Sequence, residues 1–304
     1  MKVKLIQMTQ NPIDVMWVAA RTCYSEKSPI EIWDEINKDN MKFNVLEMEK
    51  HWKLVKKVLD SGHSSIAENV SFTFAIEGVS RSLLAQITRH RAGVVFAVQS
   101  QRYVEIKEDY KLLGDDGTET NETNYLERTD FLNILDKYFV WDHNNYAQYH
   151  ALLQSLYCYL YQVQEMGMKP EDARYVLPNA TKTNITMTIN LRELIHVCAL
   201  RLCTRASSEI RQLFKVIKEE VNKYEPKLAE LLVPSCEVHN MCFEDKCCGR
   251  KPRAAEIKKA SKLLQGDTIL SRKDWEQLMM EINKPPKVND KLKSLLETKS
   301  VIEE

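Results

Sequence analysis

The chain has 304 residues, 44% of them hydrophobic, and its 43 basic side chains balance 43 acidic ones to give a formal net charge of zero. This length is enough for one large domain with an appendage. The balanced charge argues against non-specific nucleic-acid binding, which needs a basic excess or a segregated basic patch. No apolar run approaches a membrane span and no leader pattern precedes the first strand, so we expect a cytoplasmic protein without a membrane partner.

The first 80 residues predict an alternation of strands and helices. Hydrophobic residues recur at helical spacing up to Ser61-Gly62, and the residues after Asn69 alternate as in a half-buried strand. We place a strand at residues 1–8, a helix at 15–23, a polar loop or short helix at 27–44, a second helix at 43–60 and a second strand from residue 70.

A short polar turn precedes the second strand. Ser65 and Glu68 have the spacing of a capping box on one helical turn, which is the simplest structural interpretation. His63 adds a third polar side chain, and Asn69 carries both a donor and an acceptor. The turn therefore either caps a helix or contributes to a binding site.

The next helix ends in a basic cluster. Ser80 predicts the N-cap of a helix that extends to residue 90, on which Gln86 shares a face with Arg89 and His90. Taken alone, such a basic helix end is explained by its favourable interaction with the helix dipole. The residues that follow indicate a binding pocket as well as a helix end.

A short strand separates this basic cluster from a second polar cluster. Gly93 predicts a break, residues 94–98 predict a buried strand, and Ser100-Gln101-Arg102-Tyr103 follows at once. Two polar clusters that flank one strand are typical of the two walls of a pocket. The guanidinium groups of Arg89, Arg91 and Arg102 match phosphate or carboxylate oxygens two at a time, which indicates an anionic ligand.

Arg-His-Arg, an apolar spacer and Ser-Gln-Arg-Tyr together resemble the signature of the flavin-dependent thymidylate synthases, which methylate dUMP with FAD instead of an active-site cysteine. The spacer, residues 92–99, is one residue longer than the family pattern, so we expect a local bulge there. Val98 stands where the family often carries Glu or Gln. The turn from His63 to Glu68 is similar to a further family element that precedes a Phe-x-Phe strand.

The second half of the chain is mostly helical by pattern. Residues 104–145 are charged and turn-rich, so we expect a surface insertion there. We place a helix at residues 144–165, another between Pro170 and Pro178, a strand at 185–189, a helix at 190–203 and a long helix that ends near residue 224.

Two of these later elements resemble family motifs. Arg174 is most simply a salt-bridged helix residue, but its Ala-Arg-x-Val-Leu-Pro context is similar to an element whose Arg binds the nucleotide phosphate. The helix at 190–203 carries Asn190, Arg192, Glu193, His196 and Arg201 on one arc, opposite an apolar arc. A helix that faces water shows the same pattern, yet Asn-x-Arg followed by Leu-Arg resembles the last family motif.

The resemblance implies an α+β fold, with a twisted and mainly antiparallel sheet flanked by helices, of the thymidylate synthase-complementing type. It also implies a homotetramer with shared active sites. We expect a core at residues 1–235, including the insertion at about 104–145, and a Cys-rich segment with a charged helical extension at 236–304.

The resemblance assigns roles to named residues. Arg201 is the expected catalytic residue, because its charge beside the pyrimidine ring would stabilise a deprotonated uracil. The residues expected at dUMP are Gln86, Arg89, Gln99, Ser100, Gln101, Arg102, Arg174 and Arg201. Those expected at FAD are His63, Ser65, Glu68, Arg89, His90, Arg91, Asn190, Arg192 and His196. NADPH and methylenetetrahydrofolate are the implied co-substrates.

Two other functions fit parts of the same pattern. An RNA-binding module would use the Arg-His-Arg cluster with Phe96 and Tyr103, although zero net charge and a buried strand oppose this. A flavin- and nucleotide-binding relative without methylation activity is consistent with Val98 and the longer spacer.

The eight cysteines are unevenly distributed, and four of them cluster near the C-terminus. Cys236, Cys242, Cys247 and Cys248, with His239 among them, are enough ligands for a tetrahedral Zn²⁺. The tight Cys-x-x-Cys pairs of typical zinc sites are missing, so we expect no metal and favour reduced thiols, with zinc as the alternative.

Overall fold

The computed structural model describes residues 1–38, 45–108 and 128–258. Its centre is a four-stranded antiparallel sheet in the order β1-β2-β4-β3. This confirms the expected α+β class with an antiparallel sheet. The strands are β1 (Lys2–Met8), β2 (Ser71–Ser80), β3 (Val94–Val98) and β4 (Lys182–Asn190).

The two inner strands bury one face of the sheet. Phe72 and Phe74 on β2 are fully buried, and their partners Ile189 and Met187 on β4 are buried as well. Side chains on a strand alternate between faces, so this register puts both apolar sets on the same side. The alternation predicted from residue 70 onward is confirmed.

Strand β3 pairs with β4 without interruption, from Val94 opposite Ile189 to Val98 opposite Ile185. The bulge expected in the spacer is therefore not in the strand. The bend at Ala92 and Gly93 precedes β3, so the spacer departs from a regular strand there and not within the ladder.

The chain divides into two compact units, at residues 1–194 and 195–304, and the division lies inside one helix. It lies upstream of the boundary at residue 235 that the sequence suggests. The described helices are α1 (Pro12–Thr22), α2 (Pro29–Lys38), α3 (Val45–Asp60), α4 (Arg81–Ile87), α5 (Arg128–Tyr138), α6 (Tyr146–Gln164), α7 (Pro170–Ala173), α8 (Leu191–Arg201), α9 (Ser208–Tyr224), α10 (Pro226–Ala229) and α11 (Ser235–Val238), with 3₁₀ turns at Ser64–Asn69 and Arg174–Val176.

The first unit has a second apolar cluster, built mainly on α5 and α6. Leu135 and Phe139, in and just after α5, are buried together with Leu156 and Tyr159 of α6. Residues 104–145 were expected to lie on the surface, and that expectation is wrong for this part. The apolar residues of α5 recur at helical spacing, but the stretch around them is charged. Its composition alone therefore does not predict that these residues are buried.

The second unit is built on α9, whose apolar stripe includes the buried residues Ile210, Phe214, Ile217 and Val221. Helix α10 packs beside it. The amphipathic helices expected near Leu263, Leu264, Ile269, Leu270, Trp275, Leu278 and Met279 lie outside the described residues. No helix in the described part of the chain has the length and apolar composition of a membrane span.

Candidate active site

Helix α4 separates two polar groups of side chains. Ser80 caps its start, because the Ser80 hydroxyl accepts a hydrogen bond from the Leu83 N–H at 3.0 Å, as the sequence predicts. Arg81 is the first residue of the helix. The Arg89-His90-Arg91 cluster follows its other end, since the helix stops at Ile87.

The first group lies where β3 ends. Arg81 donates a hydrogen bond to the Gln99 carbonyl at 3.0 Å. The Gln99 side chain accepts a hydrogen bond from the Asn184 amide at 2.9 Å, and the two residues also pair through their backbones. The start of α4 and the ends of β3 and β4 therefore meet around Gln99, one of the expected dUMP residues.

Arg81 carries an unmet hydrogen-bonding group. Its Nε atom is buried and has no partner among the described residues. Burial lowers the pKa of Arg81, and the nearby positive charge of Arg174 lowers it further. Two neighbouring guanidinium groups with a spare buried donor form a site that an anion would complete. Arg81 was not among the site residues predicted from the sequence. Its position directly after the predicted N-cap Ser80 could have identified it as a side chain at a helix start.

Arg102 and Arg174 reach the same segment. Arg102 Nε makes an ion pair with Glu171 at 2.8 Å, and Arg174 Nε donates to the Glu171 carbonyl at 3.0 Å. The 3₁₀ turn after α7 thus carries Arg174 next to the Ser-Gln-Arg-Tyr turn. Three residues expected at dUMP, Gln99, Arg102 and Arg174, are brought together within one chain.

The turn after β3 is internally braced. The Ser100 hydroxyl accepts a hydrogen bond from the Arg102 N–H at 3.1 Å, and Gln101 is half-buried beside it. Tyr103 and Tyr175 are both about four-fifths exposed, at 80% and 81%, and each ring lies under the guanidinium of the preceding arginine. This end of the sheet presents cations and open aromatic faces.

The second polar group lies at the opposite end of β3, where β4 passes into α8. Asn190 caps α8 by accepting a hydrogen bond from the Glu193 N–H at 2.9 Å. Gly93 packs against it at a φ of +67°, and a Cβ there would lie 2.7 Å from Asn190 Cγ. A side chain at this position would displace the Asn190 amide, so the Gly93 break is a close approach of two chain segments.

His90 and Glu193 form a buried pair at this end, with His90 Nδ1 3.2 Å from the Glu193 carboxylate. Arg192, one residue earlier, makes an ion pair with Glu68. The capping box suggested for Ser65 and Glu68 is not formed, because the 3₁₀ turn has no side-chain cap and Glu68 pairs with Arg192. Arg192, Glu68, His90 and Asn190, all expected at the flavin, therefore lie together.

The remaining predicted residues differ in their exposure. Arg89 and Arg91 are exposed and have no ion pair among the described residues, and His63 and Ser65 are exposed on the 3₁₀ turn. Gln86 is half-buried on α4. In the second unit, the residues 195–201 of α8 carry His196, which is exposed, and Arg201, which is half-buried.

The two polar groups are separated by the length of β3. Four register steps from Val94 to Val98 correspond to about 13 Å at the rise of a strand. Arg102 and Arg174 lie beyond one end, and His90 and Asn190 lie beyond the other. Within one chain the strand keeps these two sets of residues apart.

Fold and site together define an α+β protein whose antiparallel sheet carries a cluster of arginines at one end. Residues 4–227 match the family model described as thymidylate synthase complementing protein. The flavin-dependent thymidylate synthase of Clostridium tetani is 38% identical over 261 residues, which cover 85% of this chain and 96% of that protein. The corresponding protein of Haloarcula marismortui is 35% identical over 262 residues, 84% of this chain and 100% of that protein.

A solved structure has the same fold. It is the flavin-dependent thymidylate synthase of Helicobacter pylori complexed with FAD and dUMP, with a TM-score of 0.58, 24% identity, and coverage of 77% of this chain and 100% of that chain. The chain belongs to the family of thymidylate synthase complementing proteins, the flavin-dependent thymidylate synthases.

Proposed function

We propose that the protein converts dUMP to dTMP by reductive methylation, with methylenetetrahydrofolate as carbon donor, FAD as hydride carrier and NADPH as reductant. Membership of the family supports this, as do the names of relatives such as that of Clostridium tetani. The structural observation that carries it is the buried, unpartnered Arg81 Nε beside Arg174. A nucleotide phosphate would satisfy both groups.

The phosphate site is at the end of β3. Arg81, Arg102 and Arg174 supply guanidinium donors, and Gln99, Ser100 and Gln101 supply neutral hydrogen-bonding groups. The present partner of Arg102 is the Glu171 carboxylate, which is only partly buried. Exchange of this acid for a phosphate dianion strengthens the interaction, because a dianion accepts more charged hydrogen bonds. Gln86 and Arg89 complete the nucleotide site.

Arg201 is the proposed catalytic residue, because methylation at C5 of uracil requires an electron-rich ring. Loss of the N3 proton leaves negative charge on N3 and O2. A guanidinium beside these atoms stabilises that charge and stays protonated throughout. No protein nucleophile is then needed, and Ser100 serves as a hydrogen-bonding group.

The residues at the start of β3 fit a flavin. Arg89 and Arg91 are exposed donors without ion pairs in the described chain. Such donors suit the phosphates of a dinucleotide. FAD, when bound, supplies the hydride chemistry. The other residues proposed to hold it are His63, Ser65, Glu68, His90, Asn190, Arg192 and His196.

We further propose a homotetramer in which each site combines residues of different chains. The residues proposed for phosphate and for flavin flank opposite ends of β3, about 13 Å apart. A uracil that stacks on the flavin ring must lie close to both sets. If the phosphate-binding residues of one subunit lie beside the flavin-binding residues of its partner, both sets can contact the same nucleotide.

Mixed subunits test the shared site. Arg174→Ala and Arg91→Ala proteins are each expected to be nearly inactive. After co-refolding in equal amounts, about a quarter of the sites would combine two wild-type ends, so activity should return to about that level. Two inactive variants that stay inactive together, in proven mixed tetramers, would contradict site sharing.

Tritium release tests the reaction. Protein with FAD, NADPH, methylenetetrahydrofolate and dUMP labelled with tritium at C5 should release tritium to water and form dTMP. The matched control omits methylenetetrahydrofolate and should form no dTMP. Flavin and dUMP binding without dTMP formation would identify the inactive relative instead, whereas RNA binding without flavin binding would reject the enzyme.

A further inference from the structure

The segment from residue 235 to residue 258 has very little apolar core. Its regular structure among the described residues is the short helix α11, a bridge between Cys242 and Arg253, and the start of a final helical turn. Cys242 is the only residue of the segment that is classed as buried. Segments that cannot bury enough apolar surface are usually held by a crosslink such as a disulfide or a metal.

A cavity of about 230 Å³ lies against this segment, within the second unit. Four thiols line it, and they come from three separate parts of the chain: the residues after α8, helix α11, and the irregular segment. They are Cys203, Cys236, Cys242 and Cys248. None of them is in a disulfide. Cys203 was not part of the cysteine cluster seen in the sequence.

Charged side chains also line this cavity. Arg205 pairs with Glu244 at 3.4 Å and Arg250 pairs with Glu237 at 3.1 Å, and Lys246 adds a third cation. Four thiolates around a divalent cation carry a net charge of −2, which nearby cations offset in part.

Hydrogen-bond donors are also directed at two of the sulfur atoms. The Thr204 hydroxyl and the Arg250 N–H donate to the sulfur of Cys248. The Glu244 N–H donates to the sulfur of Cys242. In both cases the N–H belongs to the second residue after the cysteine. Such N–H donors stabilise thiolates, the form that binds metals.

We propose that Cys203, Cys236, Cys242 and Cys248 bind one thiophilic divalent cation, Zn²⁺, which crosslinks the segment 235–248 to the end of α8. Zinc–sulfur bonds of about 2.3 Å place the sulfur atoms of a tetrahedral site about 3.8 Å apart. No three of the described thiols have their sulfur atoms within 4.8 Å of one another, so binding draws them inward. The open cavity provides the room for this movement.

This assignment differs from the ligands suggested by the sequence. His239 is exposed and its ring packs edge-on against Phe243, with centroids 5.3 Å apart. Cys247 contacts Cys242, but its thiol donates to the Lys251 carbonyl at 3.2 Å and accepts from the Gly249 N–H at 3.3 Å. Cys247 does not line the cavity, and we assign it a structural role in the turn at residues 247–251.

Metal content of the full-length protein, purified without a histidine tag, tests the proposal. We expect one zinc per chain by mass spectrometry. Single Cys→Ser variants at positions 203, 236, 242 and 248 should each lose at least tenfold in bound zinc. C247S and C23S are the matched controls and should keep it, since Cys23 is an exposed thiol of the first unit. Full zinc retention in C203S would overturn the assignment.

A measurement on the unaltered chain covers the case in which the variants fail to fold. After zinc is added, N-ethylmaleimide should leave the four thiols unmodified and should modify Cys23, as peptide mapping can show. A strong chelator should then expose all four. Zinc-independent modification of the four thiols would overturn the proposal, and so would a disulfide between any two of them in the purified protein. This test does not depend on the proposed catalytic function.

Discussion

The two ends of strand β3 carry similar kinds of side chain in different electrostatic states. At the end near Gln99, Arg81 and Arg174 are close to each other and the buried Arg81 Nε lacks a partner. At the other end, Arg192 pairs with Glu68 and His90 pairs with Glu193, while Arg89 and Arg91 have no ion pair among the described residues. The first end thus retains an unpaired buried donor, whereas the second end contains a frame of paired polar side chains.

This difference separates stability from binding. Two neighbouring like charges and an unpaired buried donor lower the stability of the protein without ligand, and binding of an anion relieves both effects. A frame of satisfied pairs stabilises the protein whether or not a ligand is present. Substitutions at the two ends should therefore have opposite consequences, which four experiments can test.

The largest effect is expected for Arg81→Met. Loss of a charged hydrogen-bond donor of about 2 kcal/mol should weaken dUMP binding roughly 30-fold. Calorimetric titration with dUMP measures this. The control ligand is deoxyuridine, which lacks phosphate and should bind both proteins equally. The melting temperature without ligand should be unchanged or higher, and a marked fall would show that Arg81 is a structural residue.

Gly93→Ala is expected to destabilise the opposite end. The new methyl group would collide with the Asn190 amide, and alanine at a φ of +67° is strained, so we expect a loss of about 2 kcal/mol in unfolding free energy. Gly62→Ala is the matched control, because Gly62 has a φ of +87° with nothing within 4 Å of its Cβ position. Equal losses in the two variants, from urea unfolding, would mean that contact with Asn190 adds nothing.

Asn190→Ala removes the cap of α8 and leaves the Glu193 N–H unpaired. We expect a loss of about 1 kcal/mol in unfolding free energy. Asn190→Asp keeps an acceptor oxygen and should recover most of that loss. Thermal unfolding of the three proteins without ligand makes the comparison. A strong fall in dUMP binding without any change in stability would contradict the capping role of Asn190.

The smallest effect is expected for the Arg192–Glu68 pair. Both side chains are about half exposed, so solvent screens the interaction and its coupling should be roughly 0.5 kcal/mol. A double-mutant cycle with Arg192→Ala and Glu68→Ala measures that coupling. It should shrink further at high salt, because dissolved ions screen the attraction between exposed charges. Coupling above about 2 kcal/mol would indicate that the pair is desolvated.

Local patterns in the sequence predicted most elements of the fold. The alternation around Phe72 and Phe74 predicted β2, and β3 has the predicted bounds of residues 94–98. These predictions of position succeeded because strand and helix periodicity are properties of neighbouring residues. The expected burial of β3 is wrong, because β3 is an edge strand of the sheet and Val95 is 69% exposed. The surface insertion was wrong around Leu135 and Phe139, since burial depends on a partner helix that a charged local composition does not reveal.

The sequence by itself determined the family motifs and the cysteine-rich composition of the C-terminal segment, and it predicted an anionic ligand. Only the tertiary structure decided that Arg81 meets Arg174 and that Cys203 joins cysteines much later in the chain. The pairing of β2 with β4 and the path of the chain after α8 set these meetings. Both are long-range features, because contacts between distant residues depend on how whole elements pack and leave no local periodic signal.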